Sequence, residues 1–197
     1  EAQIMDRLCY EPGTSLHGSL PCTVWCLWQN INEVRYGPDF VAELKRRRDK
    51  ALAMLRVFLR LADYCLQQGG SVTFEWPLLS MGWLLPEFIA FIAKWNLVAV
   101  TVHGCACGLV DKQGQPTSKR WQWVCSDEHV ALALSELKCT CPTGSKHVAV
   151  EGSVTKLTGF YPKPLCRVLL KALFGEHRHT PALPTQLTPL TADGHRE

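Results

Sequence analysis

The sequence has no uninterrupted apolar run of about 18 residues, the length a membrane-crossing helix needs. Its longest apolar stretch, Leu78 to Trp95, is broken by Pro86, Glu87 and Lys94 and reads as a buried element. No basic segment followed by an apolar core opens the chain, so secretion is not expected. Neither, then, are disulfides: ten Cys in a reducing compartment pack, bind metal or react. Charge of one sign is also scarce, with 21 Lys and Arg against 18 Asp and Glu, a net +3. The pI of about 8.4 does not by itself argue for nucleic-acid binding. No internal repeat is found. What remains is 197 residues, 47% hydrophobic and 20% charged, which excludes bulk disorder and collagen-like order. One intracellular domain, nuclear or cytoplasmic, is expected over 1–175. The Pro- and Thr-rich residues 176–197 read as a disordered tail. The chain opens on Glu1 and not on Met, which is expected of a processed product or a piece of a longer polypeptide.

The element order follows from period and punctuation. A short strand over Ser15 to Leu20 stops at Pro21, which lacks a ladder donor. Asp39 caps a long helix whose apolar residues Leu44, Ala51, Leu55, Phe58, Ala62 and Leu66 keep a 3.6 period, ended by Gly69-Gly70. Ser71 to Glu75 reads as a strand closed by Trp76-Pro77, and Leu84 to Trp95 as a helix with Pro86 in its first turn. Strands are expected again at Leu97 to His103 and Trp121 to Cys125, separated by turn chemistry at Asp111 to Pro116. Helices over Asp127 to Leu137 and Pro162 to Phe174 flank an irregular Cys139 to Thr158. This order is that of an α/β sheet with helices on its faces.

In such sheets chemistry gathers at the carboxyl ends of strands. Cys22 follows the first strand there, in a loop whose backbone N–H groups could lower a thiol pKa and make a nucleophile. Glu75 ends the second strand between Phe74 and Trp76, where poor solvation raises a carboxyl pKa and lets it hold a proton.

The runs Ser19-Leu20-Pro21-Cys22-Thr23-x-Trp25, Phe74-Glu75-Trp76-Pro77, Gly104-Cys105-x-x-Gly108 and Lys119-Arg120-Trp121 together resemble the catalytic half of C5-cytosine DNA methyltransferases. They are closest to the divergent segments in phage and in retroelement polyproteins of marine protists. The resemblance spans roughly Leu16 to Leu173. It implies the C-terminal half of a class I methyltransferase-like, Rossmann-like sheet ending in an antiparallel strand pair. It implies Cys22 as the nucleophile toward cytosine, Glu75 as the ring-binding acid, Lys119 or Arg120 as the basic element, S-adenosylmethionine as cofactor and DNA as partner. Thr23 stands where the family has Gln, and Trp76-Pro77 where it has Asn-Val. No Gly-rich strand–turn–helix precedes Cys22, so the cofactor half is expected from further sequence of the same polypeptide.

Two other constellations compete. Cys139-x-Cys141 with His147, and Cys105-x-Cys107 or Cys125 elsewhere, offers Cys/His ligands for zinc; the set favoured is Cys105, Cys139, Cys141 and His147. Lys45-Arg46-Arg47-Arg48-Asp49-Lys50 carries +4 locally and is a candidate phosphate contact, the bland reading being a solvated helix face. Trp25 and Trp28, three apart beside Cys22, are candidates to flank an extruded base, while Trp121 and Trp123 read as core. The expected function is a cytosine-C5 methyltransferase-like module, active or relic. Its rival is a non-catalytic nucleic-acid-binding or zinc-stabilised structural module.

Overall fold

The computed structural model describes residues 1–151, 154, 155 and 158–175. The expected tail over 176–197 lies outside them. The chain is mixed α/β and divides into two compact units, Glu1–Leu97 and Val98–Glu197. Among the described residues no helix is long and apolar enough to cross a membrane.

The first unit holds α1 (Ala2–Tyr10), β1 (Leu16–Gly18), α2 (Trp28–Gln67), β2 (Val72–Pro77) and α3 (Pro86–Lys94). β1 and β2 pair in parallel, Leu16 opposite Val72 and Gly18 opposite Phe74. Side chains alternate across a strand, so the pair has two unlike faces. One carries Phe74 and Trp76, which meet Phe58 of α2 and Trp83 and Phe88 at ring-centroid distances of 4.8 to 5.9 Å. The other carries three polar pairs in step: Ser15 with Ser71 at 2.8 Å, His17 with Thr73 at 2.9 Å, and Ser19 with Glu75 at 2.6 Å.

α2 begins eleven residues before the expected cap Asp39 and is interrupted inside. Gly37 has φ 72° and ψ −161°, a conformation open to glycine and little else, and Pro38 supplies no N–H to the turn before it. From Asp39 on, Leu44, Leu55, Phe58 and Ala62 of the expected stripe are buried, joined by Leu61 and Cys65, while Ala51 and Leu66 are half-buried. Before the break the apolar side chains Trp28, Ile31, Val34 and Tyr36 are all exposed. α1 was not expected; its nine residues bury only Leu8.

The second unit holds β3 (Val98–His103), β4 (Arg120–Cys125), α4 (Glu128–Ser135) and α5 (Lys163–Phe174). β3 and β4 are antiparallel, from Val98 opposite Cys125 to His103 opposite Arg120. Asp127 caps α4, its carboxylate accepting from the amides of His129 and Val130. Trp121 and Trp123 are buried as expected, with Val100, Val102, Leu134, Leu165 and Leu169 around them. The Asp111 to Pro116 turn also forms as read: Asp111 Oδ1 accepts from the amides of Gln113 and Gln115, with Gly114 at φ 79°.

Candidate functional site

The second unit gathers the metal-ligand set. β3 runs straight into a tight turn over Gly104–Cys107 that presents Cys105. The turn lies against the start of β4: the Gly104 amide donates to the Lys119 carbonyl at 2.8 Å, and a Cβ on Gly104 would stand 3.1 Å from that oxygen and 2.9 Å from Leu109 Cδ2. Only glycine fits without displacement. The segment after α4, with no period of its own, is tied at both ends. The His103 amide donates to Leu137 O at 2.8 Å. Val148 donates to Pro116 O at 2.8 Å and accepts from the Ser118 amide at 2.9 Å. Cys139, Cys141 and His147 lie between those ties.

The result is that the ligand atoms of Cys105, Cys139, Cys141 and His147 all lie within 4.8 Å of one another. Zinc bonds of about 2.3 Å to sulfur and 2.0–2.1 Å to nitrogen place tetrahedral ligands about 3.5–3.8 Å apart. Cys139 Sγ and His147 Nε2 are already 3.5 Å apart, and the longest edge needs to close by about 1 Å at most. His147 Nδ1 lies 3.3 Å from the Ser145 carbonyl. An N–H there donates to that oxygen and turns the lone pair of Nε2 toward the thiols, the arrangement metal-bound imidazoles use.

The thiols are not equivalent. The Cys141 amide, then the Cys105 thiol, hold Cys139 down to about 7, while burial and then the two neighbouring thiols push Cys105 up to about 12. Cys141 is raised, first by its hydrogen bond with Cys139. Negative charge therefore settles first on Cys139, the exposed member. Cys107 and Cys125, the other ligands considered from sequence, are buried in the core; burial pushes Cys107 up to about 11 and raises Cys125 further. They are packing residues.

The first unit holds the other candidates. Because β1 and β2 are parallel, the Pro21-Cys22 loop and Glu75 leave the pair at the same edge. Cys22 is half-buried at the start of a 3-10 turn, Thr23–Trp25, and its carbonyl accepts from the Trp25 amide at 2.9 Å. Glu75 is 6% exposed and accepts a 2.6 Å hydrogen bond from the exposed Ser19. Trp76 fixes the loop from the opposite face, its indole N–H donating to Leu20 O at 2.7 Å. Ser19 was not singled out from sequence; the period-two polar alternation Ser15, His17, Ser19 against Ser71, Thr73, Glu75 was the available signal.

Two nucleic-acid candidates are committed elsewhere. Trp25 is 7% exposed, so it offers no open face to a base. The Arg48 guanidinium, 6.0 Å from that ring, pairs with Glu33 at 2.8 Å and donates to Val24 O at 3.2 Å. It is an internal tie. Trp28 remains open at 57% exposure. Arg46 is held by Glu43 in a two-point pair, while Lys45 and Arg47 make no ion pair among the described residues. Lys119 and Arg120 belong to the second unit. Arg120 is exposed opposite His103, and the Lys119 ammonium sits 5.6 Å from the Trp121 ring.

Comparison with protein-family models, with curated proteins and with solved structures finds no match to this chain.

Proposed function

We propose that this chain is a zinc-stabilised α/β module in which one Cys3His site closes the segment after α4 onto the β3–β4 hairpin. The observation that carries it is the convergence of four ligand atoms, from positions 105 to 147, within 4.8 Å. The donor set is soft, which favours zinc over hard cations. All four positions are taken by protein, as in structural and not catalytic zinc sites. The reading predicts about one zinc per purified chain. Cys105→Ser and Cys139→Ser should each lose the metal and lower the melting temperature, while Cys9→Ser and Cys166→Ser keep both. A metal-free parent chain with an unchanged melting temperature after chelation would sink the reading.

A second reading keeps the methyltransferase-like chemistry. It is favoured by the placement of the Cys22 loop and the Ser19-bonded Glu75 at one edge of a parallel pair. On this reading the Cys22 thiolate adds to the cytosine ring and Glu75 holds a ring nitrogen through its proton. S-adenosylmethionine is bound by a cofactor half outside these residues. Incubation with 5-fluorocytosine DNA and S-adenosylmethionine, in a chain extended to carry that half, should trap a covalent adduct that Cys22→Ser abolishes. No adduct in the extended chain leaves the zinc module alone.

A further inference from the structure

The positive charge of the molecule is not where the sequence concentrates it. Residues 1–97 hold ten Lys and Arg and ten Asp and Glu, so the dense run at 45–50 is balanced within its own unit. All six ion pairs among the described residues lie there, including Arg48 with Glu33 and Lys94 with Asp63. Residues 98–175 hold nine Lys and Arg against five Asp and Glu. Among the described residues, Lys112, Lys119, Arg120, Lys138 and Lys146 make no ion pair.

Four of these are gathered by the ties that build the metal centre. His103 pairs with Arg120 across the hairpin, and its amide holds Leu137, next to Lys138. The Ser118 amide holds Val148, which places Lys119 beside the chain that carries Lys146 and His147. Arg120, Lys138 and Lys146 are exposed. A zinc ion with three thiolates carries one net negative charge, which offsets only one of these cations.

We propose that this basic rim around the metal centre binds the phosphate backbone of nucleic acid without reading its bases. Resting on the zinc reading, it names the partner of that site. Phosphodiester is favoured over other anionic partners by what the rim lacks. Between 98 and 151, which carry the rim, Val110 is the one large apolar side chain exposed among the described residues; the unit's other exposed apolar side chains, Phe160, Leu170 and Phe174, lie on the later segment and not among these cations in the chain. A membrane-surface site sets Trp, Phe or Leu beside its cations, and a protein interface needs an apolar centre. A phosphate backbone needs spaced cations, and its affinity falls steeply with salt as counterions are released.

The test uses the full chain, zinc-loaded, and a short fluorescein-labelled DNA duplex of mixed sequence, titrated by anisotropy over a range of salt. The triple variant Arg120→Glu/Lys138→Glu/Lys146→Glu should lose at least about tenfold in affinity. The slope of log affinity against log salt should fall by about three. Unchanged zinc content and circular dichroism show that the variant is folded. Lys45→Glu/Arg47→Glu should bind within about twofold of the parent. Parent-like binding by the triple variant, loss in the Lys45/Arg47 variant alone, or tighter binding to phosphatidylserine vesicles than to duplex would each overturn the proposal. Zinc content separates the two readings. A zinc-free chain whose duplex binding still needs the three cations refutes the metal and keeps the rim. A zinc-loaded chain that ignores duplex does the reverse.

Discussion

Ten cysteines meet different fates because a thiol's behaviour is set by what surrounds it. Cys65 donates to the Thr14 carbonyl at 3.1 Å, Cys107 and Cys125 fill the second core, and Cys105, Cys139 and Cys141 converge with His147. The same holds for His17, which shares the polar face of β1 and β2 with Ser19 and Glu75. His17 is exposed as a residue, but desolvation of its ring where it packs beside Thr73 lowers its imidazole from the ordinary 6.5, with a backbone hydrogen bond to Thr73 working the other way. A depressed histidine takes its proton less readily when folded than when unfolded. Its contribution to stability is therefore fully present above 6.5 and is lost as pH falls from there toward the lower folded value. Urea denaturation on either side of 6.5 should show the parent losing stability on the acid side. His17→Gln should flatten that part of the profile. An equal acid loss in the variant would assign the effect to other groups.

At the scale of elements, what the sequence makes legible is what buries a regular stripe. The second part of α2 is read because Leu44, Leu55, Phe58 and Ala62 all face the core at a 3.6 period. β4 is read because Trp121 and Trp123 alternate inward, and α4 because Asp127 caps it. The first part of α2 is not read, since Trp28, Ile31 and Val34 point to solvent and only Gln29 is buried, so the period marks no core. α1 escapes for a similar reason, one buried residue in nine. The metal set is legible as residue types, the favoured set with Cys105 being the one that converges, but what separates Cys105 from Cys107 and Cys125 is the Gly104 turn. That turn depends on a close approach to Lys119, which no local pattern encodes. Trp25 and Arg48 each look available for a ligand in the sequence, whereas Trp25 is buried and Arg48 uses Nη1 on Glu33 and Nε on Val24.

The whole molecule is two cores with different ways of holding their irregular parts. The first unit fastens the loop after β1 with Trp76 on Leu20 and packs its aromatic rings together, while its six ion pairs lie within or between its helices and their caps. In the second, residues 138–149 add no side chain to the apolar core and rest on the backbone ties at Leu137 and Val148. If zinc supplies the missing constraint, its removal should loosen the molecule unevenly. A structural zinc in a small peptide domain contributes on the order of 10 kcal/mol or more, far beyond three hydrogen bonds of about 1 kcal/mol each. Hydrogen exchange with and without a strong chelator should therefore show faster exchange at His103, Gly104, Ser118 and Val148, whose amides form or adjoin those ties. The amides of Leu55 to Cys65 and of Val72 to Trp76 should keep their protection, because α2 and β2 carry no ligand. Loosening spread equally over both units would mean that the metal acts on global stability. No change at His103 and Val148 would mean that the cluster holds its shape as thiols alone, leaving zinc no structural task.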